Sequence, residues 1–386
     1  MKIIEVGTGY TSIPANMGAA TEIVVEELSK VFEKEKINYE IFDIKDEKRL
    51  NTNLKIREIS IPKWFRKKDV SLGIMHKLKR VFYSIALAKK IKKEIKEAKE
   101  KIVIHFHNQY NMYFFCKLIS NEIRKKVTII YTVHSYIWNG KWDEIKNKVK
   151  KRYFQEIYCI KNADIVYVLN NITKQHFINK LGINSEKIIK INNGVNTEIY
   201  KQQENGSNEF IFFQSGSVCE RKNQLGAIAM LTKYLKKNKN MKYVYAGGII
   251  DSEYKKKIDE YVIKNKIDSQ VEYVGEIKPG KELAKYYAKS KAFIFPSKAE
   301  AFSLVILEAM ASGLPVIMNR KAILDIDQNL DRIIKFYDDE DSFDNIINNE
   351  IFNEEERKRI AKESRLIAEN VYSWDAIAKE YLKNIS

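Results

Sequence analysis

Short apolar runs alternate with helix-length segments along most of this chain, and that alternation limits its fold more than any other feature. In the first half KIIEV (2–6), YEIFDI (39–44), KIVIHF (101–106), VTIIYTV (127–133), ADIVYVL (163–169) and the short IIKIN (188–192) read as strands. In the second half FIFFQ (210–214), KYVYAG (242–247), QVEYVG (270–275) and KAFIF (291–295) do the same. Strands separated by helices imply parallel βα units. The polar stretch YKQQENGSN (200–208) interrupts the pattern. At 386 residues the chain is also long for one hydrophobic core. The expectation is an α/β protein of two Rossmann-like parallel-sheet domains facing a cleft: an N-terminal domain over 1–200, a linker over 201–209 and a second domain over 210–370. Residues 319–349 are acidic and carry no clear pattern.

The segment PSKAEAFSLVILEAMASGLPVI (296–317) follows the strand at 291–295 and reads as loop, then helix. Glu300 falls in the loop and Glu308 about one and a half turns into the helix. Open parallel sheets bind ligands beyond the carboxyl ends of their strands, and helix N-termini present N–H groups to anions. An anion at Phe302, Ser303 and Leu304 would have a carboxylate on either side. Ionised carboxylates only accept hydrogen bonds, which suits them to hold hydroxyl pairs. A phosphate flanked by two hydroxyl-bearing rings is a nucleotide-sugar. Glu308 sits in an apolar helix, where an unpaired charge is costly, so ligand contact explains it better than solvation. Glycoside hydrolysis by the two carboxylates fits less well, because the surrounding features suit a phosphate.

Three scattered cysteines, Cys116, Cys159 and Cys219, suggest reduced thiols and a cytoplasmic setting, with no metal cluster. The first strand is too short for a signal-peptide core. The apolar run around Glu308 holds Gly313 and Pro315, so a membrane span is not expected. The net charge of +17 is compatible with an anionic surface or simply with lysines spread over solvated helices. Residues 63–100 form a basic segment in which Ile74, Leu78, Val81, Ile85 and Ile91 fall near helical spacing. That stripe is expected to cover the first sheet. Trp64 to Lys68 ahead of it could attach to an anionic membrane. The basic charge has no nucleic-acid module around it, so no nucleic-acid partner is expected.

The glycine loop GTGYTSIPANMGAA (7–20) fails as a dinucleotide fingerprint because its glycines are wrongly spaced. GSVCERKNQ (216–224) places Lys222 after a strand and a glycine loop, and TVHS (132–135) places His134 at a strand end. NNGVN (192–196) and YSWDAIAKEYL (372–382) complete the set. With EAFSLVILEAMASGLPVI (300–317), these segments make the chain similar, over nearly its whole length, to the retaining glycosyltransferases of family four. That resemblance implies the GT-B fold, with residues 371–386 returning to the first domain.

The resemblance also implies residue roles. The donor site would hold Gly18, Arg221, Lys222, Glu300, Phe302, Ser303, Leu304 and Glu308. Glu308 would hold the ribose and Glu300 the transferred sugar. Lys222, with Arg221, would neutralise the diphosphate, and His134, Lys222 and Glu300 would carry catalysis. Asn16, Met17 and His107 are candidates for the acceptor side, while His105 reads as packed in the sheet. No Asp-x-Asp metal bridge is recognisable, so no metal or other cofactor is expected. The implied activity moves a sugar from a nucleotide-diphosphate donor to a glycan or lipid-linked acceptor, in bacterial surface polysaccharide or glycoconjugate synthesis. It would proceed in the cytoplasm, with peripheral attachment to the inner membrane face. A non-catalytic binding relative and a sugar-nucleotide epimerase of the same fold are the alternatives.

Overall fold

The structure is a computed structural model that describes residues 1–15, 20–62, 74–202, 209–300, 303–322 and 327–385. The chain divides into two compact units, Met1–Asn192 with Ala378–Ser386, and Asn193–Ile377.

Unit 1 is built on seven parallel strands: β1 (Lys2–Val6), β2 (Tyr39–Ile44), β3 (Ile56–Ile59), β4 (Ile102–Phe106), β5 (Val127–Val133), β6 (Ile165–Val168) and β7 (Ile188–Lys190). Their order is β3-β2-β1-β4-β5-β6-β7. Strand direction of sequence growth therefore reverses between β1 and β4, the kind of switch point where open sheets bind ligands. Side chains alternate across the sheet. Ile4, Val6, Ile104, Phe106, Ile129, Tyr131 and Val133 join one core. Glu5, His105 and Thr132 alternate with them and are also buried.

The basic helix Ile74–Glu97 covers this core, as the sequence suggests, but through a different stripe. Tyr83, Leu87, Ala88, Ile91 and Ile95 are buried, whereas Leu78 is 39% exposed and Val81 and Ile85 are only partly covered. Among the described members of the periodic set, only Ile91 lies on the buried face. Alanine and tyrosine carry much of that face, and an isoleucine-weighted reading passes over them. The side chain of Ile74 and residues 64–68 lie outside the described residues.

Unit 2 has six parallel strands: β8 (Phe210–Ser215), β9 (Met241–Ala246), β10 (Val271–Tyr273), β11 (Ala292–Phe295), β12 (Val316–Asn319) and β13 (Lys335–Tyr337). The order β10-β9-β8-β11-β12-β13 puts its switch point between β8 and β11. Phe213, Phe293 and Phe295 face one core, and Phe212, Ala292 and Ile294 face the other. Both faces are thus covered, as expected for a parallel sheet. Residues 319–349, unreadable from pattern, supply β13 and the helix Glu340–Ile346. The capping box of that helix, Asp339 with Ser342, fixes its start.

Two glycines shape the end of β8. Gly216 has φ +149° and Gly247 φ +145°. A Cβ on Gly247 would come 2.1 Å from the Gly216 carbonyl oxygen. Gly247→Ala is therefore expected to destabilise unit 2 by at least ~2 kcal/mol, since two backbones must separate and the residue is strained besides. Urea unfolding measures this, and an unchanged midpoint contradicts the close approach.

Candidate active site

The loops after β8 and β11 are tied together at the unit 2 switch point. Residues 216–223 close with a short 3-10 turn, Glu220–Lys222, and with Asn223 in the left-handed region at φ 55°. The Asn223 side chain donates to the Pro296 carbonyl over 3.2 Å, and the Lys298 amide donates to the Arg221 carbonyl over 2.8 Å. From the first strand, the Gln214 side chain donates to the Lys222 carbonyl over 2.9 Å. The 220–223 turn is therefore held on both sides, and Lys222 lies over Gly216, whose Cβ position is 3.3 Å from Lys222 Cε.

Lys222 Nζ meets Glu300 Oε1 at 2.8 Å, and Arg221 Nη1 pairs with the same oxygen. The Lys222 side chain is 12% exposed and that of Glu300 10%. Two cations and one carboxylate leave this cluster net positive, at a place where helix geometry adds further donors. Ser303 occupies the N-cap of the helix Leu304–Ala311, and its hydroxyl makes no capping bond. The first amides of that helix have no intrahelical acceptor. Lys222, Arg221, Glu300 and Ser303 are thus carried by the two loops that flank one switch point, and Leu304 opens the helix that follows.

Glu308 is buried on the same helix. Tyr287, from the helix Lys281–Lys289, donates its hydroxyl to Glu308 Oε2 over 2.8 Å. The Tyr200 hydroxyl also bonds to the carboxyl, and Tyr287 contacts Ser215 at the end of β8. Burial pushes the Glu308 carboxyl up to about 7, against the opposing effect of the tyrosine hydroxyls. The ordinary value is 4.5, so the charged form is disfavoured in the fold. The contribution of this carboxyl to stability is then fully present below about pH 4.5, is lost as pH rises towards 7 and changes no further above. Glu308→Gln removes this slope. Relative to the parent, its melting temperature should rise by several degrees between pH 4.5 and 7.5, for a difference on the order of 3 kcal/mol. Parallel melting curves for the two proteins at all pH values contradict this.

Unit 1 places three histidines at its own switch point. His107 lies just beyond β4 and His134 just beyond β5, with His107 Nδ1 and His134 Nε2 3.1 Å apart. His107 Nε2 meets Glu5 Oε2 at 3.0 Å, and His105 Nδ1 meets Glu5 Oε1 at 3.1 Å. His105 is indeed buried in the sheet, and its Nε2 reaches Thr132 Oγ1 at 2.7 Å. Glu5, His105 and His107 form a group with metal-ligating atoms within 4.8 Å of one another. Hydrogen bonds account for each of these contacts.

Burial pushes the Glu5 carboxyl up, but His105 and His107 more than offset it and hold it down near about 2. Burial and the neighbouring His105 lower His107 to about 4, and burial lowers His134 well below the usual imidazole range. Glu156, also buried, accepts from Ser135 Oγ at 3.1 Å, Tyr131 at 3.0 Å and Trp138 Nε1 at 2.8 Å, which fixes the turn after His134.

Sequence reasoning missed Glu5, Glu156, Tyr200 and Tyr287. Glu5 carries a visible signal, a carboxylate inside the apolar run KIIEV. Asn16, Met17, Gly18 and Phe302 lie outside the described residues.

Residues 21–199 match Glycosyltransferase Family 4, and residues 195–366 match Glycosyl transferases group 1. The chain belongs to the family-four glycosyltransferases. It is 28% identical over 233 residues to a glycosyltransferase of Methanocaldococcus jannaschii, a match covering 60% of each chain. The O-antigen chain mannosyltransferase RfbU of Salmonella typhimurium is 26% identical over 175 residues, 44% of this chain and 47% of RfbU. These matches span about half to three-fifths of the relatives' lengths. Among solved structures, sucrose-phosphate synthase of Thermosynechococcus elongatus superposes with a TM-score of 0.75 at 18% identity, covering 99% of this chain and 97% of that one. Anabaena HepE in complex with UDP and glucose gives 0.71 at 14% identity, covering 100% and 99%. These neighbours give the family-four chain the GT-B fold.

Among the described residues, no helix is long and apolar enough to cross a membrane.

Proposed function

We propose that this chain transfers a sugar, with retention of anomeric configuration, from a nucleoside-diphosphate donor to a glycan or lipid-linked acceptor in polysaccharide or glycoconjugate synthesis. The observation that carries the reading is the Lys222–Glu300–Arg221 cluster beside the start of the Glu308 helix, at the unit 2 switch point. Lys222 and the helix amides take the diphosphate. Glu308 accepts from ribose hydroxyls, exchanging tyrosine donors for sugar ones. Glu300 orients the transferred sugar, His134 meets a substrate hydroxyl, and unit 1 carries acceptor recognition.

The C1–O bond to phosphate breaks with its electron pair passing to the phosphate oxygen. The acceptor oxygen attacks C1 from the same face and gives its proton to that phosphate. Charge gathers on the leaving group, where Lys222 already stands, and a preorganised cation of this kind stabilises the transition state. Lysine charge and helix amides then supply what a metal ion would supply elsewhere, so chelators should leave turnover intact. The complex of HepE with UDP and glucose and the similarity to the mannosyltransferase RfbU support beginning with uridine-diphosphate hexoses and with nucleoside-diphosphate mannose.

A thermal-shift screen over such donors tests the reading, because a ligand that binds only the folded form raises apparent stability. At least one donor should raise the melting temperature, and with an acceptor it should give a product of unchanged anomeric configuration in EDTA. An inverted product, or no response to any nucleotide-sugar, counts against it.

A further inference from the structure

Glu5, His105, His107, Thr132 and His134 share one face of the unit 1 sheet. Glu5 and His105 are direct partners in the β1–β4 register. His107 follows His105 by two residues and His134 follows Thr132 by two, which keeps both pairs on one side of a pleated sheet. The rings are close: His105 and His107 have centroids 3.9 Å apart, and His107 and His134 stack at 5.4 Å. Tyr381 stacks on His105 at 5.1 Å and closes the layer above it.

The protons in this cluster follow from which atoms can donate. The Glu5 carboxylate is fully buried, is held in its charged form by two imidazoles, and can only accept. His105 must therefore present Nδ1–H to Oε1, and His107 must present Nε2–H to Oε2. A neutral His107 then carries its lone pair on Nδ1. The atom facing it, 3.1 Å away, is His134 Nε2, which must carry a proton to make that bond. A neutral imidazole has one N–H, so the lone pair of His134 lies on Nδ1.

We propose that Glu5 and His107 are positioning residues that lock His134 as its Nε2–H tautomer and so leave His134 Nδ1 as a hydrogen-bond acceptor for a substrate hydroxyl. The inference rests on the role given to His134 in glycosyl transfer. An imidazole with its proton on Nδ1 would turn a donor towards that hydroxyl, and would also face His107 lone pair to lone pair. Glu5 removes this alternative from two rings away. The cluster then serves as a directional device, in which the charge stays at Glu5 and only proton positions are passed along.

Long-range 1H–15N spectra of the ligand-free, 15N-labelled chain test the inference without substrate. The chain has five histidines, so single substitutions assign the signals. At pH 7.5, His107 and His134 should each carry the proton on Nε2, and His105 on Nδ1. In Glu5→Gln the His107 and His134 signals should show mixed tautomers, and kcat should fall roughly tenfold with the donor KM within about twofold. A purely structural Glu5 would lower stability yet leave the tautomers and kcat per folded molecule in place, which overturns the proposal. So would His134 protonated on Nδ1 in the parent protein, or a stoichiometric divalent metal retained on purification, since a metal would replace the N–H protons. If Glu5→Gln does not fold, the parent spectrum alone decides. Expected tautomers in a chain inactive towards every donor count against the transferase reading and leave the proton arrangement standing.

Discussion

Replacing Lys222 with alanine is expected to lower kcat by about 10²–10³-fold, with a much smaller change in donor KM. In the ground state the diphosphate charge is spread over several oxygens and shared by helix amides. In the transition state negative charge concentrates on the departing oxygen, where a fixed cation gains most. The turn that carries Lys222 is held by Gln214, Asn223 and Lys298, so the ammonium is positioned before substrate arrives. Arg221 is a poor substitute, because its guanidinium is directed at the Ala299 carbonyl over 3.1 Å and at Glu300. Lys222→Arg should restore little, since a planar fork does not reproduce a point charge over Gly216. Steady-state kinetics with the best donor measures this. A kcat within threefold of the parent removes Lys222 from the reaction.

Glu308→Ala has the second largest expected effect, and a different signature. A carboxylate holding two ribose hydroxyls contributes equally before and during bond breaking, so its loss should appear in binding. Hydrogen bonds to a charged group are worth ~1.5–3 kcal/mol, which corresponds to roughly 10–150-fold in donor Kd. At saturating donor, kcat should stay near that of the parent. Tyr287 and Tyr200 hold the carboxyl in the free protein, and on the proposed reading a bound ribose would replace their contacts. Titration calorimetry with the nucleoside diphosphate alone isolates the effect from the sugar. Unchanged affinity would mean that Glu308 is buried for packing and not for ligand.

Much of the fold was legible because parallel strands buried on both faces read as continuous apolar runs, as FIFFQ and VTIIYTV do. β3 was not, because IREI is short and places Arg57 and Glu58 at the sheet edge. β12 escaped because Val316–Asn319 continues the apolar run of the Glu308 helix, and β13 because its three residues lie in the acidic stretch that carries no clear pattern. In the site, Glu300 and Glu308 stand seven intervening residues apart in one segment, and Lys222 follows a strand after one short glycine loop, so local spacing reveals them. Glu5 lies 100 residues from His105 and 102 from His107, and only the β1–β4 register joins them. The partners of Glu308 are hidden likewise. Tyr287 reaches it from a neighbouring helix 21 residues away, and tyrosines in amphipathic helices usually read as plain core.

A crystal structure of the chain with a bound nucleoside diphosphate decides whether Lys222 and the Glu308 helix form the donor site. Phosphate oxygens are expected within ~2.7–3.2 Å of Lys222 Nζ and of the first amides of the Leu304–Ala311 helix, with both ribose hydroxyls on the Glu308 carboxylate. A diphosphate bound elsewhere on unit 2, with Lys222 still paired only to Glu300 and Glu308 still held only by its tyrosines, contradicts it.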